Sequence, residues 1–489
     1  MAGRWMITGA GILPIMSLSG VALVLAAVAS LTTGVTGIEW HGCALGPDDA
    51  IGQELDSHGA QCAEVVVPMD YRRPDGRKMS VAFSRVKATD PTHRRGVLLL
   101  NPGGPGSSGL ELAVLGTFSP ALGAVYDLIG FDPRFVGRSG PLLCPWQTAT
   151  FQQSAGPTLT SYKESVAFEA KLAAQCVRGH LGELPYATSR NVVRDMDAIR
   201  VALGEQRISY YGDSYGTYLG AVYMQMFGAH ADRFVLDSSV DPDLYGPGFF
   251  TTQGPAMEAA LRHFAEWAAG KQGIGETADD VLGTVHRLVG GGPVKAGGYT
   301  VDGHVLPYLL YSVVPSDAAE DYTELATEIR QLRDGSPTVT DRLAAQLAAA
   351  HGGGDDVSAQ AGTPFLCADR AVSHDPAVYD RDIEAHRASE PVFGAVTRNL
   401  TPCAFWPVQP IEGPTVVHNG LPVLMVAAKG DPVTPYPGQL AMHRALAGSR
   451  MVTQLGAFHH GAFLGNECVD GVVVGYLTGG ALSAVDGTC

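Results

Sequence analysis

The stretch of residues 207–227, RISYYGDSYGTYLGAVYMQMF, constrains the fold more than any other part of the chain. Residues 208, 210 and 211 are β-branched or aromatic and predict a strand, whereas residues 217–227 contain no proline and no charge and predict a buried helix. Between them lies a G-x-S-x-G pattern centred on Ser214. A serine on such a sharp turn has a strained backbone, and side chains two residues away on either side would collide there. The pattern predicts an exposed serine whose neighbouring helix N-terminus stabilises a negatively charged oxygen.

The composition excludes several classes of protein. With 489 residues, of which 46% are hydrophobic and 17% charged, the chain is long and apolar enough for a large folded core. Its net charge of −16, with no large basic cluster to offset it, argues against a nucleic-acid partner. No two cysteines form a C-x-x-C pattern, which disfavours zinc and redox sites. We expect a globular protein without a metal or cofactor, and we expect it to be a monomer.

The N-terminus carries a targeting signal. No charged residue occurs between Arg4 and Glu39, and residues 21–29 (VALVLAAVA) form a dense apolar run. Such a segment is typical of a signal peptide, with residues 27–29 as an A-x-A cleavage site. It is also long enough to span a bilayer, so an uncleaved anchor is the alternative. Residues 1–37 are therefore predicted to be a signal peptide or an N-terminal membrane anchor. The protein is predicted to be secreted or extracellular, with anchoring at the cell surface as the alternative.

The cysteines agree with export, because disulfides persist in oxidising compartments. The sequence does not determine their connectivity. Pairing nearest neighbours is preferred, since each loop is then short and needs no long-range threading. The expected structural disulfides are Cys43–Cys62, Cys144–Cys176, Cys367–Cys403 and Cys468–Cys489.

Strands and helices alternate from residue 96 to residue 240, which predicts a mostly parallel, doubly wound sheet of the α/β class. From residue 243 the apolar spacing is helical, and the next strand is expected only at residues 422–427. Residues 243–415 are therefore predicted as a helical cap, inserted between a first core part (38–242) and a second core part (416–489). Such a cap lies over the carboxyl ends of the strands, where ligands bind in open α/β sheets.

A glycine-rich loop, residues 101–109 (NPGGPGSSG), follows the strand predicted at residues 96–100. It matches G-x-G-x-x-G, which is typical of dinucleotide binding. Pro105 offers no N–H to a pyrophosphate, and an exported enzyme meets little NAD. The loop instead predicts an oxyanion hole made by the N–H groups of Gly104 and of Tyr215, the residue after the serine. A glycine-rich turn without a catalytic role is the remaining alternative.

A G-x-S-x-G pattern arises by chance in a chain with 61 glycines, so an acid and a base are needed to support it. Asp431 lies on the loop straight after the strand predicted at residues 422–427, and two histidines, His459 and His460, follow the last predicted strand. The order serine, aspartate, histidine is that of the α/β-hydrolase fold. In such a triad the histidine accepts the proton of Ser214, and the aspartate orients the imidazole ring.

Which histidine acts as the base is not decided by its distance from the strand. Adjacent side chains do not both face one serine, and Gly461 favours His460, since a glycine beside the base leaves room for substrate. The two histidines form a poor zinc site, because neither cysteine nor carboxylate lies at ligand spacing.

The chain resembles the tripeptidyl aminopeptidase group of secreted actinobacterial serine peptidases, which is related to proline iminopeptidases. The resemblance covers residues 38–489 and rests on five motifs: NPGGPG (101–106), GFDPRFVGRS (130–139), YGDSYGTYLG (211–220), GDPVTPY (430–436) and NEC (466–468). It implies an exported exopeptidase that releases short peptides from free N-termini through an acyl-enzyme, a cap over the site, and a Cys468–Cys489 disulfide. It also implies that His460 is the base. The chain departs from the family at Phe135 and His459, where glycine is usual.

Three functions are considered for a chain with these motifs. The leading one is an aminopeptidase of tripeptidyl type acting on peptides with a free N-terminus. The second is a carboxylesterase that uses the same triad on acyl or aryl esters, because both reactions pass through a tetrahedral oxyanion. The third, a binding protein on an inactive hydrolase scaffold, predicts loss of a triad member, and none is lost. An aminopeptidase must bind an α-ammonium, for which Glu258, Glu266 and Asp369 are candidates by position.

Overall fold

A nine-stranded sheet lies at the centre of the structure, a computed structural model that describes residues 37–352 and 358–489. The strands are β1 (Gln61–Pro68), β2 (Lys78–Val86), β3 (Val97–Asn101), β4 (Asp127–Phe131), β5 (Ile208–Asp213), β6 (Ala231–Asp237), β9 (Val423–Ala428), β10 (Ser449–Gln454) and β11 (Gly487–Thr488). They are arranged in the order β1-β2-β4-β3-β5-β6-β9-β10-β11. β1 and β2 pair antiparallel, as do β2 and β4, and every other neighbouring pair is parallel. The prediction of a mostly parallel, doubly wound sheet is confirmed.

The interior strands of the sheet are largely buried, since helices cover both faces of the sheet. Every residue of β3, β4 and β9 is buried. The helices outside residues 243–415 are α1 (Ala50–Ser57), α2 (Pro120–Val125), α3 (Leu159–His180), α4 (Ser189–Ala202), α5 (Tyr215–Phe227), α14 (Tyr436–Ala445) and α15 (Glu467–Leu477). Alternate residues of β3 belong to two separate cores, so that Leu99 packs with α4 and α5 on one face, and Leu98 packs with α2 and α15 on the other.

The segment between β6 and β9, residues 243–415, is called the cap segment below. Its helices are α6 (Gln253–Ala268), α7 (Ala278–Val289), α8 (Val305–Val313), α9 (Ala319–Asp334), α10 (Asp341–Gly352), α11 (Ser358–Asp369), α12 (Pro376–His386) and α13 (Gly394–Thr397). It also contains a hairpin, β7 (Val294–Ala296) and β8 (Tyr299–Val301), although the sequence predicted no strand between residues 243 and 421. Three-residue strands are too short to show an alternating pattern. The turn between them, Gly297-Gly298, has φ angles of 55° and 84°.

The structure joins the cysteines in the four pairs that sequence neighbours form: Cys43–Cys62, Cys144–Cys176, Cys367–Cys403 and Cys468–Cys489. The segment predicted as a signal peptide or membrane anchor, residues 1–37, lies outside the described residues except for its last one. Within residues 37–352 and 358–489, no helix is both long and apolar enough to cross a membrane.

Phe135, which stands where the resembling family has glycine, adopts a left-handed backbone with φ = 65° and is only 3% exposed. Phe135→Gly relieves strain of about 1–2 kcal/mol. It also removes a core ring, and such truncations cost about 3–5 kcal/mol. We therefore expect a net loss of about 2 kcal/mol in the free energy of unfolding, measured by urea denaturation.

Leu464 provides the matched control for this substitution. It has a similar φ of 68° but is 46% exposed, so Leu464→Gly relieves strain while losing little packing. This variant should be as stable as the wild type or slightly more stable. A Phe135→Gly protein that equals or exceeds the wild type in stability would show that the ring contributes less than the strain it imposes.

Candidate active site

Ser214 occupies the turn between β5 and α5, with φ = 55° and ψ = −122°. Its N–H donates to the carbonyl oxygen of Asp237 at the end of β6, at 3.0 Å. The two glycines of the pattern are required by close packing. A Cβ atom on Gly212 would lie 2.5 Å from the oxygen of Gly216, and one on Gly216 would lie 2.9 Å from the oxygen of Asn101. These contacts explain why the strained turn needs glycine on both sides.

The glycine-rich loop after β3 passes directly over this turn. A Cβ atom on Gly103 would lie 2.9 Å from Cβ of Ser214 and 3.2 Å from the backbone nitrogen of Tyr215. The N–H of Gly103 is already used, since it donates to Oδ1 of Asn101 at 3.0 Å. No described residue accepts a hydrogen bond from the N–H of Gly104 or of Tyr215. These two donors therefore remain available to a ligand beside Ser214.

Asp132, the first residue after β4, holds the other end of this loop. Its carboxylate accepts hydrogen bonds from the Ser108 hydroxyl at 2.5 Å and from the N–H of Gly109 at 3.1 Å. The same loop packs against the cap segment, because a Cβ atom on Gly106 would lie 2.2 Å from the oxygen of Ser358 in α11. Helix α11 therefore packs directly against the glycine-rich loop at Gly106.

His460 lies against Asp431. Its Nδ1 is 3.1 Å from Oδ1 and 3.0 Å from Oδ2 of the carboxylate. The carboxylate is buried and also accepts hydrogen bonds from the N–H groups of Val433 (2.8 Å) and Thr434 (2.9 Å). Burial lowers the pKa of the His460 imidazole. The negative charges of Asp431 and, to a smaller extent, of Asp213 and Asp237 outweigh this effect and raise the pKa to about 9.

His459 is oriented differently. Its Nδ1 is hydrogen-bonded to the carbonyl oxygen of Gly461 at 2.6 Å. Among the described residues, no carboxylate lies within hydrogen-bonding or ion-pair distance of its ring. Of the two candidates, the structure brings His460 to the acid and turns His459 toward its own loop.

The end of β6 ties the histidine loop to the serine turn. Asp237 accepts the N–H of Ser214 at its backbone oxygen, and its carboxylate accepts the N–H of Ala462 at 2.9 Å. The neighbouring Ser238 accepts the N–H of Gly461 at its hydroxyl oxygen, at 3.0 Å. Sequence analysis missed both residues. Their only local signal was a carboxylate and a serine at the end of a strand, and their partners in the histidine loop, Gly461 and Ala462, are 223 and 225 residues away in the sequence.

A cavity of about 330 Å³ lies over Ser214 and is closed in part by the cap segment. Its apolar wall includes Phe151, Val240, Phe249, Phe250 and Leu366. Its polar groups, among them Gln152, Gln253 and Tyr311, are uncharged. None of the described residues that line it is Asp, Glu, Lys or Arg. No cluster of metal-ligating side chains occurs within the described ranges.

The three carboxylates that are candidates by position for binding an ammonium group, Glu258, Glu266 and Asp369, do not line this cavity. Glu258 accepts the N–H groups of Val392 and Phe393 at 2.8 and 2.9 Å, and so holds a turn of the cap segment. Asp369 accepts the N–H of Ser189 at 2.9 Å. Glu266 is exposed on α6. A position on a cap helix does not reveal which way a carboxylate faces, because packing decides this.

The fold and this geometry define a class of protein. A serine at the carboxyl edge of a parallel sheet, beside two unused N–H donors and on the same edge as an aspartate–histidine pair, is typical of serine hydrolases of the α/β-hydrolase fold.

Comparisons with known proteins agree and go further. The family described as alpha/beta hydrolase fold matches residues 96–271, and the family described as TAP-like protein matches residues 390–489. The tripeptidyl aminopeptidase of Streptomyces coelicolor is 33% identical over 95% of this chain and 88% of its own length. Serine protease Hip1 of Mycobacterium tuberculosis is 31% identical (88% and 87%), and carboxylesterase B of the same organism is 30% identical (92% and 89%). The chain belongs to the TAP-like family of α/β-hydrolases.

Proposed function

We propose that this serine hydrolase is an exported aminopeptidase that removes short peptides, foremost tripeptides, from free N-termini. The observation that carries the proposal is the His460–Asp431 pair, held on the same strand end as the Ser214 turn. The names of the relatives, tripeptidyl aminopeptidase and serine protease, supply the reaction class. The disulfides support export, because they persist in oxidising compartments. Secretion or anchoring at the cell surface then depends on residues 1–37.

In the proposed mechanism, Oγ of Ser214 attacks the scissile carbonyl carbon as its proton passes to Nε2 of His460. Asp431 orients the ring through Nδ1 and stabilises its positive charge. The N–H groups of Gly104 and Tyr215 bind the resulting oxyanion. His460 then protonates the leaving amine, and the peptide remains esterified to Ser214. A water molecule, deprotonated by His460, releases the peptide by the same steps and regenerates the serine.

The cap segment determines what reaches the serine in this proposal. It closes over the carboxyl ends of the strands and leaves a cavity within the size range of ligand pockets, which is about 300–1,000 Å³. Carboxylesterase activity is the second candidate. It is favoured by the uncharged lining of the cavity and by the relative named carboxylesterase B.

One matched set of chromogenic substrates tests the proposal. It contains a tripeptide anilide with a free N-terminus, its N-acetylated twin, a single-residue anilide and a short-chain acyl ester. We expect kcat/KM to be highest for the free tripeptide and to fall at least tenfold on acetylation. Hydrolysis of the ester with no hydrolysis of any anilide would overturn the aminopeptidase assignment and support the esterase.

The pH profile depends on Asp213, whose carboxylate is buried beside the serine turn with Oδ1 unpaired among the described residues. Burial raises the pKa of Asp213 to about 7, and its charge above that pH helps to retain the proton on His460. The base must be neutral to act, so activity falls as the pH drops through the pKa of His460. Asp213→Asn removes one carboxylate and lowers that pKa. The acid limb of kcat/KM should therefore move to lower pH by on the order of one unit.

Asp279→Asn is the control for this shift, because Asp279 is exposed on the cap segment and its loss should leave the profile unchanged. The measurement is kcat/KM from pH 5 to pH 10 for the wild type and both variants. An acid limb that stays in place in Asp213→Asn, or moves to higher pH, would show that Asp213 does not act on His460.

A further inference from the structure

A much smaller recess opens beside the cavity over Ser214. It shares Phe151, Gln152, Phe250 and Tyr311 with that cavity and extends to Asn399. Its volume of about 10 Å³ is enough for one water-sized group. A primary ammonium group has this size, whereas an acetylated nitrogen does not.

A chain of hydrogen bonds orients the Gln152 amide at this recess. Nε2 of Gln253 donates to the carbonyl oxygen of Val433 at 2.8 Å, so Oε1 of Gln253 must be the atom that accepts the Tyr311 hydroxyl at 2.6 Å. The Tyr311 oxygen in turn accepts a hydrogen bond from Nε2 of Gln152 at 3.0 Å. Because a backbone carbonyl can only accept a hydrogen bond, the Val433 oxygen fixes the orientation of the Gln253 amide and therefore the direction of the two hydrogen bonds that follow. Oε1 of Gln152 remains as an acceptor without a partner among the described residues.

Asn399 supplies a second unused acceptor. Its Nδ2 donates to the carbonyl oxygen of Gln153 at 2.9 Å and to the Ser165 hydroxyl at 2.8 Å. The carbonyl partner again determines the orientation of the amide. Oδ1 of Asn399 is therefore the free acceptor of this amide. It is buried and has no hydrogen-bond partner in the described structure, and the residue as a whole is 8% exposed. A buried acceptor without a partner is unfavourable, and a donor in the recess would supply the missing hydrogen bond.

The surroundings suit a cation. Phe151 and Phe250, whose ring centroids are 5.9 Å apart, offer aromatic faces or edges to the same space, and aromatic faces attract ammonium groups. The nearest basic residue along the chain, Arg398, is paired with Glu390 at 2.6 Å and with Asp382 at 3.1 Å, so its charge is balanced. The recess thus combines acceptors and aromatic rings, and none of the described residues that line it is Lys or Arg.

We propose that this recess binds the N-terminal ammonium group of the substrate through the amide oxygens of Gln152 and Asn399. This inference rests on the proposed aminopeptidase function. The ammonium group is bound by neutral acceptors, and the carboxylates of Glu258 and Asp369 hold the fold together instead. The position of the recess, reached from Ser214 across the shared wall, sets how many residues lie between the N-terminus and the scissile bond.

The test compares two substrates that differ only at the N-terminus: Ala-Ala-Ala anilide and propionyl-Ala-Ala anilide, in which hydrogen replaces the amine. The quantity measured is the ratio of their kcat/KM values. Gln152→Met keeps the side-chain length but removes the acceptor, and we expect it to lower this ratio about tenfold or more, since hydrogen bonds to charged groups are strong. Gln152→Glu adds a carboxylate and should raise the ratio above that of the wild type. A purely structural effect would change both substrates together.

Asn399→Leu should lower the ratio as Gln152→Met does, and the Gln152 variants decide the question if this buried substitution prevents folding. Gln409→Met is the control, because Gln409 is exposed outside the recess. If the wild type itself shows a ratio near one, the aminopeptidase function fails. If the wild type prefers the free N-terminus strongly and Gln152→Met retains that preference, the function stands and the recess is not the ammonium site.

Discussion

Replacing Ser214 with alanine is expected to lower kcat on a tripeptide anilide by about a millionfold, the loss seen when the nucleophile of a serine hydrolase is removed. In the proposed mechanism Ser214 is the nucleophile, and its Cβ lies directly under Gly103 of the glycine-rich loop. The fold should be unaffected, because the side chain caps no helix and alanine meets the same backbone strain as serine. The measurements are steady-state kcat, covalent labelling by a fluorophosphonate, and the melting temperature.

Ser239 offers the matched control. It lies near the same edge of the sheet, is buried, and its hydroxyl has no partner in the described part of the chain. Ser239→Ala should retain turnover within a few-fold of the wild type and should still be labelled. A Ser214→Ala protein that keeps more than about one per cent of the turnover, or remains labelled, would show that the nucleophile lies elsewhere.

The features that sequence analysis predicted are those that local geometry determines. Ser214 lies between a strand and a helix that are contiguous in the chain, and Asp431 follows a strand, β9, whose residues are all buried. Parallel strands bring their carboxyl ends to one edge of a sheet, so residues that follow separate strands are expected to lie close together. The same reasoning placed both histidines near the acid. It could not choose between them, because their orientation depends on the path of a single loop.

What could not be predicted depends on long-range packing. Asp237 binds the N–H of Ala462, a contact that no spacing in the sequence reveals. Glu258 has the charge and the position in the sequence of an ammonium ligand, but its carboxylate accepts hydrogen bonds from the backbone N–H groups of residues 392 and 393. A neutral amide such as that of Gln152 carries no chemical signature in the sequence. The hydrogen bond that orients it, to the Tyr311 hydroxyl, is visible only in the structure.

The two histidines should differ in their effect by several orders of magnitude. His460→Ala removes the ring that contacts Asp431, and we expect kcat to fall by about a millionfold, as for the serine, because nucleophile and base act as one unit. His459→Ala removes a ring whose Nδ1 is bonded to the Gly461 carbonyl oxygen, and kcat should stay within about tenfold of the wild type. The pair is well matched, since the residues are adjacent and both are partly buried.

A double variant sharpens the test. Effects of nucleophile and base are not additive, so Ser214→Ala combined with His460→Ala should be scarcely slower than either single variant. Ser214→Ala combined with His459→Ala should equal Ser214→Ala. The measurement is kcat on the tripeptide anilide for all single and double variants, with melting temperatures to exclude misfolding. If His459→Ala abolishes turnover while His460→Ala spares it, the ring that contacts Asp431 is not the base. The histidine loop would then have to change its conformation when substrate binds.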